Sequence, residues 1–399
     1  MTRFRPSVVA VVAAVAILAS GLPAGAEGGF TRVVGFATKT GYRGVVAWEA
    51  DRVVSGQVHY GTSPTSLDRT ASPVPGAPDR AQVSIFDGLQ TGTTYWYQVE
   101  DRITGERSEM GSFTAANAYT DYDAADTTYT IDLVVTLDSE ALPNDVPKDQ
   151  SLQQIAAAMN VMAERTYDAL DGFARIGTVL ITDTNLDYAA NTPFTGSPAC
   201  QATGGSLGDF LFQTTLPMDS HTFGGFAINS ACTQIGMGRL AQLGLAWQND
   251  LHVGYVATHE LMHYAFNTPD LYSVAGGDGG CVNSDWDGSL MHNTGGWSTS
   301  AERWQKTELE RNSTLTPCNM GRSTHSWTRL RARYTNVPAR PDGPVEHIID
   351  TEARGNEDGG ALEIFVLDRE PGMSTLTKLD ASALDASPPN PPTITAPPL

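Results

Sequence analysis

The sequence predicts a multidomain protein in which an all-β sandwich is followed by an α+β domain. Three observations lead to this fold class. Short alternating apolar segments fill residues 30–115, a polar and acidic stretch follows at 116–128, and residues 129–335 then mix strand-like and helix-like periods. With 399 residues, the chain is long enough for two or three domains that each bury a core.

The first 26 residues have the order of a cleaved signal peptide. Arg3 and Arg5 precede an apolar run from Val8 to Leu18, and the small residues Ala24-Gly25-Ala26 come before Glu27. The run is too short for a retained membrane anchor, so we expect a secreted, extracellular protein without a membrane span. The chain carries 25 lysines and arginines against 45 acidic residues, a net charge of −20, which argues against nucleic acid as a partner.

Residues 30–115 show about seven short strand-like segments separated by turns, as expected for a β-sandwich. The stretch Leu89-Gln90-Thr91-Gly92-Thr93-Thr94-Tyr95 resembles the tyrosine-corner segment of fibronectin type III domains, which are immunoglobulin-like sandwiches, and Phe113-Thr114 resembles their closing strand. The resemblance implies a spacer or a module that docks to a polymer or surface. Because the linker at 116–128 is polar, we expect this sandwich to be separable from the rest.

The region from 129 to 335 is expected to form the second domain. Periodicity predicts a strand, an amphipathic helix, a strand, a short edge strand and a second helix capped by Asn249 or Asp250, at 129–136, 149–170, 176–182, 223–228 and 251–266. Residues 336–378 form a C-terminal region of uncertain structure. Residues 379–399 are rich in proline and are expected to be a disordered tail.

Four cysteines, all in the second half of the chain, are an even number in a protein expected to be exported. They therefore predict disulfide bonds, for which three pairings exist. Proximity in the sequence favours Cys200 with Cys232 and Cys281 with Cys318. A cysteine-rich zinc site is the weaker interpretation because no pair with two intervening residues is present.

The segment His259-Glu260-Leu261-Met262-His263 lies within the second predicted helix. Histidines four residues apart lie about 40° apart around a helix and can bind one cation, and the intervening glutamate lies beside them. Zinc lowers the pKa of a bound water to about 7, and a carboxylate nearby can accept its proton. His259 and His263 are therefore candidate Zn²⁺ ligands, and Glu260 is the candidate catalytic base.

The longer string from His259 to Tyr272 resembles metzincin-like zinc metallopeptidases that use an aspartate downstream, among them the immune inhibitor A and IgA-cleaving metallopeptidase families. Ser289-Leu290-Met291-His292-Asn293 is similar to their Met-turn. The resemblance implies a zincin catalytic domain, a protein or glycoprotein substrate, and an edge strand at 223–228 that pairs with extended substrate. The chain departs from the common pattern because it lacks the glycine and the third histidine.

Asp270 is the candidate third zinc ligand. Phe266 occupies the position of the usual turn glycine, whereas Asn267 tolerates a positive φ, so the turn and the ligand after it move one residue along. The competing candidates are Asp278, Asp285, Asp287 and His292, and His252 is better explained by packing or exposure.

Two other functions remain open from the sequence. One is an extracellular binding or adhesion protein whose zincin domain is inactive, and the other is a metal-dependent hydrolase of a non-peptide bond. An intact HExxH motif argues against the first, and the motif does not distinguish the second.

Overall fold

The computed structural model describes residues 29–38, 43–74, 77–115, 129–137, 148–170, 174–183, 210–213, 225–228, 232–236, 254, 257–259, 261, 262, 265, 266, 330, 331, 362–381 and 384. The predicted signal peptide, the linker at 116–128 and the residues beyond 384 lie outside this set. Among the described helices, none is both long and apolar enough to cross a membrane.

The N-terminal part is a β-sandwich, which confirms the prediction for residues 30–115. Its seven strands are β1 (Phe30–Ala37), β2 (Arg43–Val54), β3 (Gly56–Gly61), β4 (Arg69–Ala71), β5 (Asp79–Asp87), β6 (Thr94–Asp101) and β7 (Gly111–Thr114). An inner sheet has the order β1-β2-β5 and an outer sheet the order β4-β3-β6-β7. Trp48 and Tyr95 are completely buried between the two sheets. The Tyr95 hydroxyl accepts a 2.8 Å hydrogen bond from the backbone N–H of Gln90.

The described residues of the second part are built on a mixed sheet of seven strands. Its elements are β8 (Tyr129–Leu137), α1 (Lys148–Ala169), β9 (Ala174–Asp183), β10 (Phe210–Gln213), β11 (Gly225–Ile228), β12 (Cys232–Gly236), β13 (Glu363–Asp368) and β14 (Thr375–Leu379). The strand order is β11-β12-β10-β8-β9-β13-β14. The strands and the helix predicted between 129 and 182 are confirmed within two residues at each end.

The last two strands show that the C-terminal region is part of this sheet. Strand β13 runs parallel to β9, with Leu367 opposite Thr182, and β14 returns antiparallel to β13. Beyond β14, Leu384 packs on the helix side of the sheet, where its carbonyl accepts a 3.4 Å hydrogen bond from the Asn160 amide. The described chain therefore reaches into the segment 379–399, and Leu379 and Leu384 pack against the core there.

The mixed sheet is apolar on both faces. One face packs against α1, which contributes a stripe at helical spacing formed by Leu152, Ile155, Met159 and Met162. The other face packs against the inner sheet of the sandwich, through Val134, Leu180, Phe365, Leu367 and Leu376 on one side and Phe36, Val45, Ala47, Ala81 and Val83 on the other. The resulting layers are outer sheet, inner sheet, mixed sheet and helices.

This shared core argues against the prediction of a separable sandwich. Val45 and Ala47 point at the mixed sheet, whereas Val46 and Trp48 point into the sandwich, and all four are fully buried. The polar linker is compatible with two free domains, but the apolar faces are not, because separation would expose both of them to water.

Candidate metal centre

The segment that carries the HExxH motif is helical at every position that the structure describes between 254 and 266. One side of this helix joins the core beside α1, through Ala257, Leu261, Met262, Ala265 and Phe266. The Thr258 hydroxyl donates a 2.7 Å hydrogen bond to the Gly254 carbonyl, one turn earlier. The apolar spacing of three and four residues explains why this stretch forms a buried helix.

His259 is the one predicted site residue that lies within the described part of the chain. Its side chain is buried, with 1% of its surface exposed. On a helix that turns by about 100° per residue, position 259 lies roughly 120° from the middle of the apolar stripe. His259 is thus enclosed by protein, and around the helix it lies close to Phe266, which belongs to the core beside α1.

The other predicted site residues lie outside the described set. These are Glu260, His263 and Asp270, together with the competing ligand candidates Asp278, Asp285, Asp287 and His292. The side chains of the four cysteines also lie outside it, so the predicted disulfides stay predictions. Among the residues that are described, no group of three histidine, cysteine, aspartate or glutamate side chains could hold a metal ion.

Among the strands that the structure describes, β11 stands at one end of the mixed sheet. It pairs with β12 in the antiparallel sense, with Phe226 opposite Gln234, and it stands first in the strand order. The prediction placed an edge strand at 223–228, and the observed bounds of Gly225–Ile228 agree with it. An edge strand leaves one row of backbone N–H and C=O groups open to pairing with another chain.

An ionic cluster that the sequence did not reveal lies at the start of α1. The Lys148 ammonium is 2.7 Å from Asp368, 2.7 Å from Glu370 and 3.1 Å from Asp183. Burial lowers the pKa of Lys148, but hydrogen bonds to Asp368, Glu370 and Asp183 outweigh burial, so the pKa is raised above its ordinary value. The cluster ties α1 to the ends of β9 and β13.

The only sequence signal for this cluster is that Asp183 and Asp368 each end an apolar, strand-like stretch. Because β9 and β13 are parallel and adjacent, their carboxyl ends meet at the same edge of the sheet. Lys148 reaches both aspartates from the first turn of the helix and offsets part of the negative charge there.

Comparisons with known proteins do not assign the chain to a family. No protein family pattern matches the chain, and no curated protein sequence matches it. Among solved structures, a myokine is similar at 17% identity and a TM-score of 0.18, over 23% of this chain and 100% of that one. The fn3 domain of the human collagen alpha-1(XX) chain is similar at 20% identity and a TM-score of 0.16, over 27% and 99%.

A third similar structure is the purple acid phosphatase PPD1 from yellow lupin (Lupinus luteus) seeds, at 13% identity and a TM-score of 0.20. This match covers 40% of the chain and 30% of the phosphatase. Likenesses with TM-scores of this size carry no argument about function.

Proposed function

We propose that this protein is a secreted zinc-dependent endopeptidase with a zincin, metzincin-like α+β domain, and that it cleaves peptide bonds in extracellular proteins or glycoproteins. The observation that carries the proposal is the setting of His259. This histidine of an HExxH motif lies on a helix that packs in the core beside α1, and its side chain is enclosed. Packing around a metal-ligating side chain holds that side chain in one orientation.

The donor set fits Zn²⁺, because two imidazoles and one carboxylate leave a fourth position open, as catalytic zinc sites require. In the proposal, His259, His263 and Asp270 hold the ion. When bound, Zn²⁺ supplies Lewis-acid polarisation of the scissile carbonyl and makes water more acidic. Glu260 accepts the proton of the attacking water and delivers it to the leaving amine, a role for which its position next to His259 is suited.

The position of β11 supports a polypeptide substrate. An extended peptide that adds to this edge strand makes main-chain hydrogen bonds, which do not depend on its side chains. Recognition of this kind suits an endopeptidase acting within protein chains, and it gives no equivalent advantage with a small ester. In the proposal, the sandwich supports the mixed sheet and also docks to a polymer or surface.

The test combines metal analysis with digestion of a proteome-derived peptide library by the full mature chain. We expect about one Zn²⁺ per chain and internal cleavage products. Glu260→Gln keeps both histidine ligands and is the matched control, so it should retain zinc and lose hydrolysis by a factor of about 100 or more. Cleavage of ester substrates alone would identify a hydrolase of a non-peptide bond, and zinc without any hydrolysis would favour a binding protein.

A further inference from the structure

Gly254 is the first described residue of the helix that carries His259. Glycine is an unfavourable residue in a helix because it gains no helix-stabilising side chain and loses much backbone freedom. A positive φ is not the reason for its presence, since the positive-φ glycines of the described chain are Gly88, Gly92, Gly105 and Gly372. The explanation for this glycine must therefore lie in its packing.

The packing partner of Gly254 is the middle of α1. A β-carbon at position 254 would lie 2.6 Å from both Cβ and Cγ1 of Val161 and 2.8 Å from the carbonyl oxygen of Ala158. Carbon atoms pack at about 3.5 to 4.0 Å, so an added methyl group requires a displacement of roughly 1 Å. The two helices therefore meet at a distance that only glycine permits.

Helix α1 is not free to absorb this displacement. Ala158 presents backbone, and Val161 is a β-branched residue with one preferred rotamer in a helix. The same helix is packed on the mixed sheet through Ile155 and Met159 and is fixed at its first turn by the Lys148 cluster. The helix that contains Gly254 is the element that must move.

His259 follows Gly254 by five residues, which is about 7.5 Å along a helix axis. A displacement at Gly254 is carried to His259 because the intervening turn includes the hydrogen bond from Thr258 to the Gly254 carbonyl. Metal–ligand distances tolerate only about 0.2 Å of error, much less than the expected displacement.

We propose that Gly254 is a positioning residue for the metal site, which sets the depth at which the helix bearing His259 seats against α1. This inference rests on the proposed zinc site. In this inference, the contact between Gly254 and α1 sets the position of the metal ligand His259. Gly254 itself contacts neither the metal nor the substrate.

The experiment compares Gly254→Ala with Val161→Ala in the full mature chain. Val161→Ala reduces the same contact from the α1 side without pushing on the helix of His259, so it is the matched control. Co²⁺ is titrated into the metal-free proteins, and its visible absorption spectrum reports ligand geometry. The kcat and KM for a library-derived peptide are measured on the zinc forms.

For Gly254→Ala we expect Co²⁺ affinity to fall by about tenfold or more, with altered absorption bands and a lower kcat at similar KM. Val161→Ala should keep the wild-type spectrum and affinity even though it loses packing in the core. A wild-type spectrum and kcat in folded Gly254→Ala would overturn the role of Gly254 while leaving the proposed zinc site in place. Absence of Co²⁺ binding by the wild type would instead overturn the metal site, and the inference with it.

If Gly254→Ala does not fold, Val161→Ile takes its place, because its added methyl group pushes across the same contact from the α1 side. The expected result is again weaker Co²⁺ binding with altered bands, in a protein whose circular dichroism matches the wild type. An unchanged spectrum in that variant would overturn the inference.

Discussion

The Ser374 hydroxyl donates a 2.7 Å hydrogen bond to the Asp79 carboxylate, although 295 residues separate the two in the sequence. Both side chains are buried. The same carboxylate accepts the backbone N–H of Ser374 at 3.1 Å and that of Gly372 at 3.2 Å. Gly372 has a φ of 77°, which turns the β13–β14 connection so that its donors converge on the sandwich. One carboxylate thereby fastens the sandwich to the end of the mixed sheet.

We expect Asp79→Asn to lower the free energy of unfolding by about 2 to 4 kcal/mol, because an amide offers one acceptor oxygen in place of two, and four donors converge there: the Ser374 hydroxyl and the backbone N–H groups of Arg80, Gly372 and Ser374. Urea unfolding followed by tryptophan fluorescence measures the loss. Asp87→Asn is the control, since Asp87 pairs with Arg43 at the surface with 63% of its side chain exposed, and it should cost less than about 1 kcal/mol. Equal losses in the two variants would contradict the fastening role of Asp79.

Lys148→Gln is expected to destabilise the protein by about 2 kcal/mol or more, because it removes the ammonium group that pairs with the buried Asp183 carboxylate and with two further acids. Lys378→Gln provides the comparison. Lys378 also pairs with a carboxylate, that of Glu363, but the two side chains are 48% and 39% exposed, and the expected loss is below about 1 kcal/mol. Chemical denaturation of the two variants side by side distinguishes these expectations, and a larger loss in Lys378→Gln would be evidence against them.

A chain that begins near Asp126 and lacks the sandwich should fail to give a stable monomer. Its mixed sheet would expose the apolar face formed by Val134, Leu180, Phe365, Leu367 and Leu376. Size-exclusion chromatography and near-ultraviolet circular dichroism are the measurements, and aggregation or loss of fixed tertiary structure is the expected result. A cooperatively unfolding monomer would restore the idea of an independent second domain.

Burial raises the pKa of Tyr97 to about 12. The folded state therefore keeps its proton after the unfolded chain has lost one at about pH 10, so stability is intact below pH 10 and falls as the pH rises from there to 12. The slope contributed by this residue is about 1.4 kcal/mol per pH unit. Tyr97→Phe should show a shallower decline than the wild type in urea unfolding between these pH values, and parallel curves would refute the assignment.

Asp270→Ala should lose most of the zinc that the wild type binds, because it removes the carboxylate ligand and leaves two imidazoles. Asp285→Ala and His292→Ala should keep their zinc. Metal content after dialysis, measured by inductively coupled plasma mass spectrometry, provides the comparison. Full occupancy in Asp270→Ala with loss in either of the other two would move the third ligand to the segment around Met291.

Local periodicity was sufficient to predict the strands and the helix between residues 129 and 183. The helix was predicted at 149–170 and observed at Lys148–Ala169, because apolar residues at helical spacing select both the element and its buried side. Tyr95 was predictable for a similar reason: its partner, the amide of Gln90, lies only five residues away. Interactions within a few residues leave a signature in sequence order.

The arrangement of the layers depends on contacts between distant parts of the chain, and the sequence order contains little trace of it. Strand β13 pairs with β9 across about 180 intervening positions, and neither strand specifies the other by its composition. One signal was present in Val45-Val46-Ala47-Trp48, which is a continuous apolar run. Such a run is typical of a strand that is buried on both faces, as β2 is between the sandwich core and the mixed sheet.

The candidate site also combines a feature that the local sequence reveals with one that depends on distant residues. HExxH is visible because its chemistry follows from the helical period alone, and Gly254 is visible only as an unexplained glycine within a helical pattern. The meaning of that glycine depends on α1, whose Val161 lies 93 positions earlier, and no spacing rule connects the two.

Because β13 pairs with β9, the mixed sheet cannot be completed until the C-terminal strands have been synthesised. The sandwich is finished once residue 114 has emerged, whereas the strands that bring Phe365, Leu367 and Leu376 to its inner sheet follow some 250 residues later. Until then, Val45, Ala47 and Val83 form an apolar surface without its final cover, and long-range pairing of this kind is slow. We therefore expect the nascent protein to be prone to aggregation during this interval, and chains that end before residue 363 to remain so.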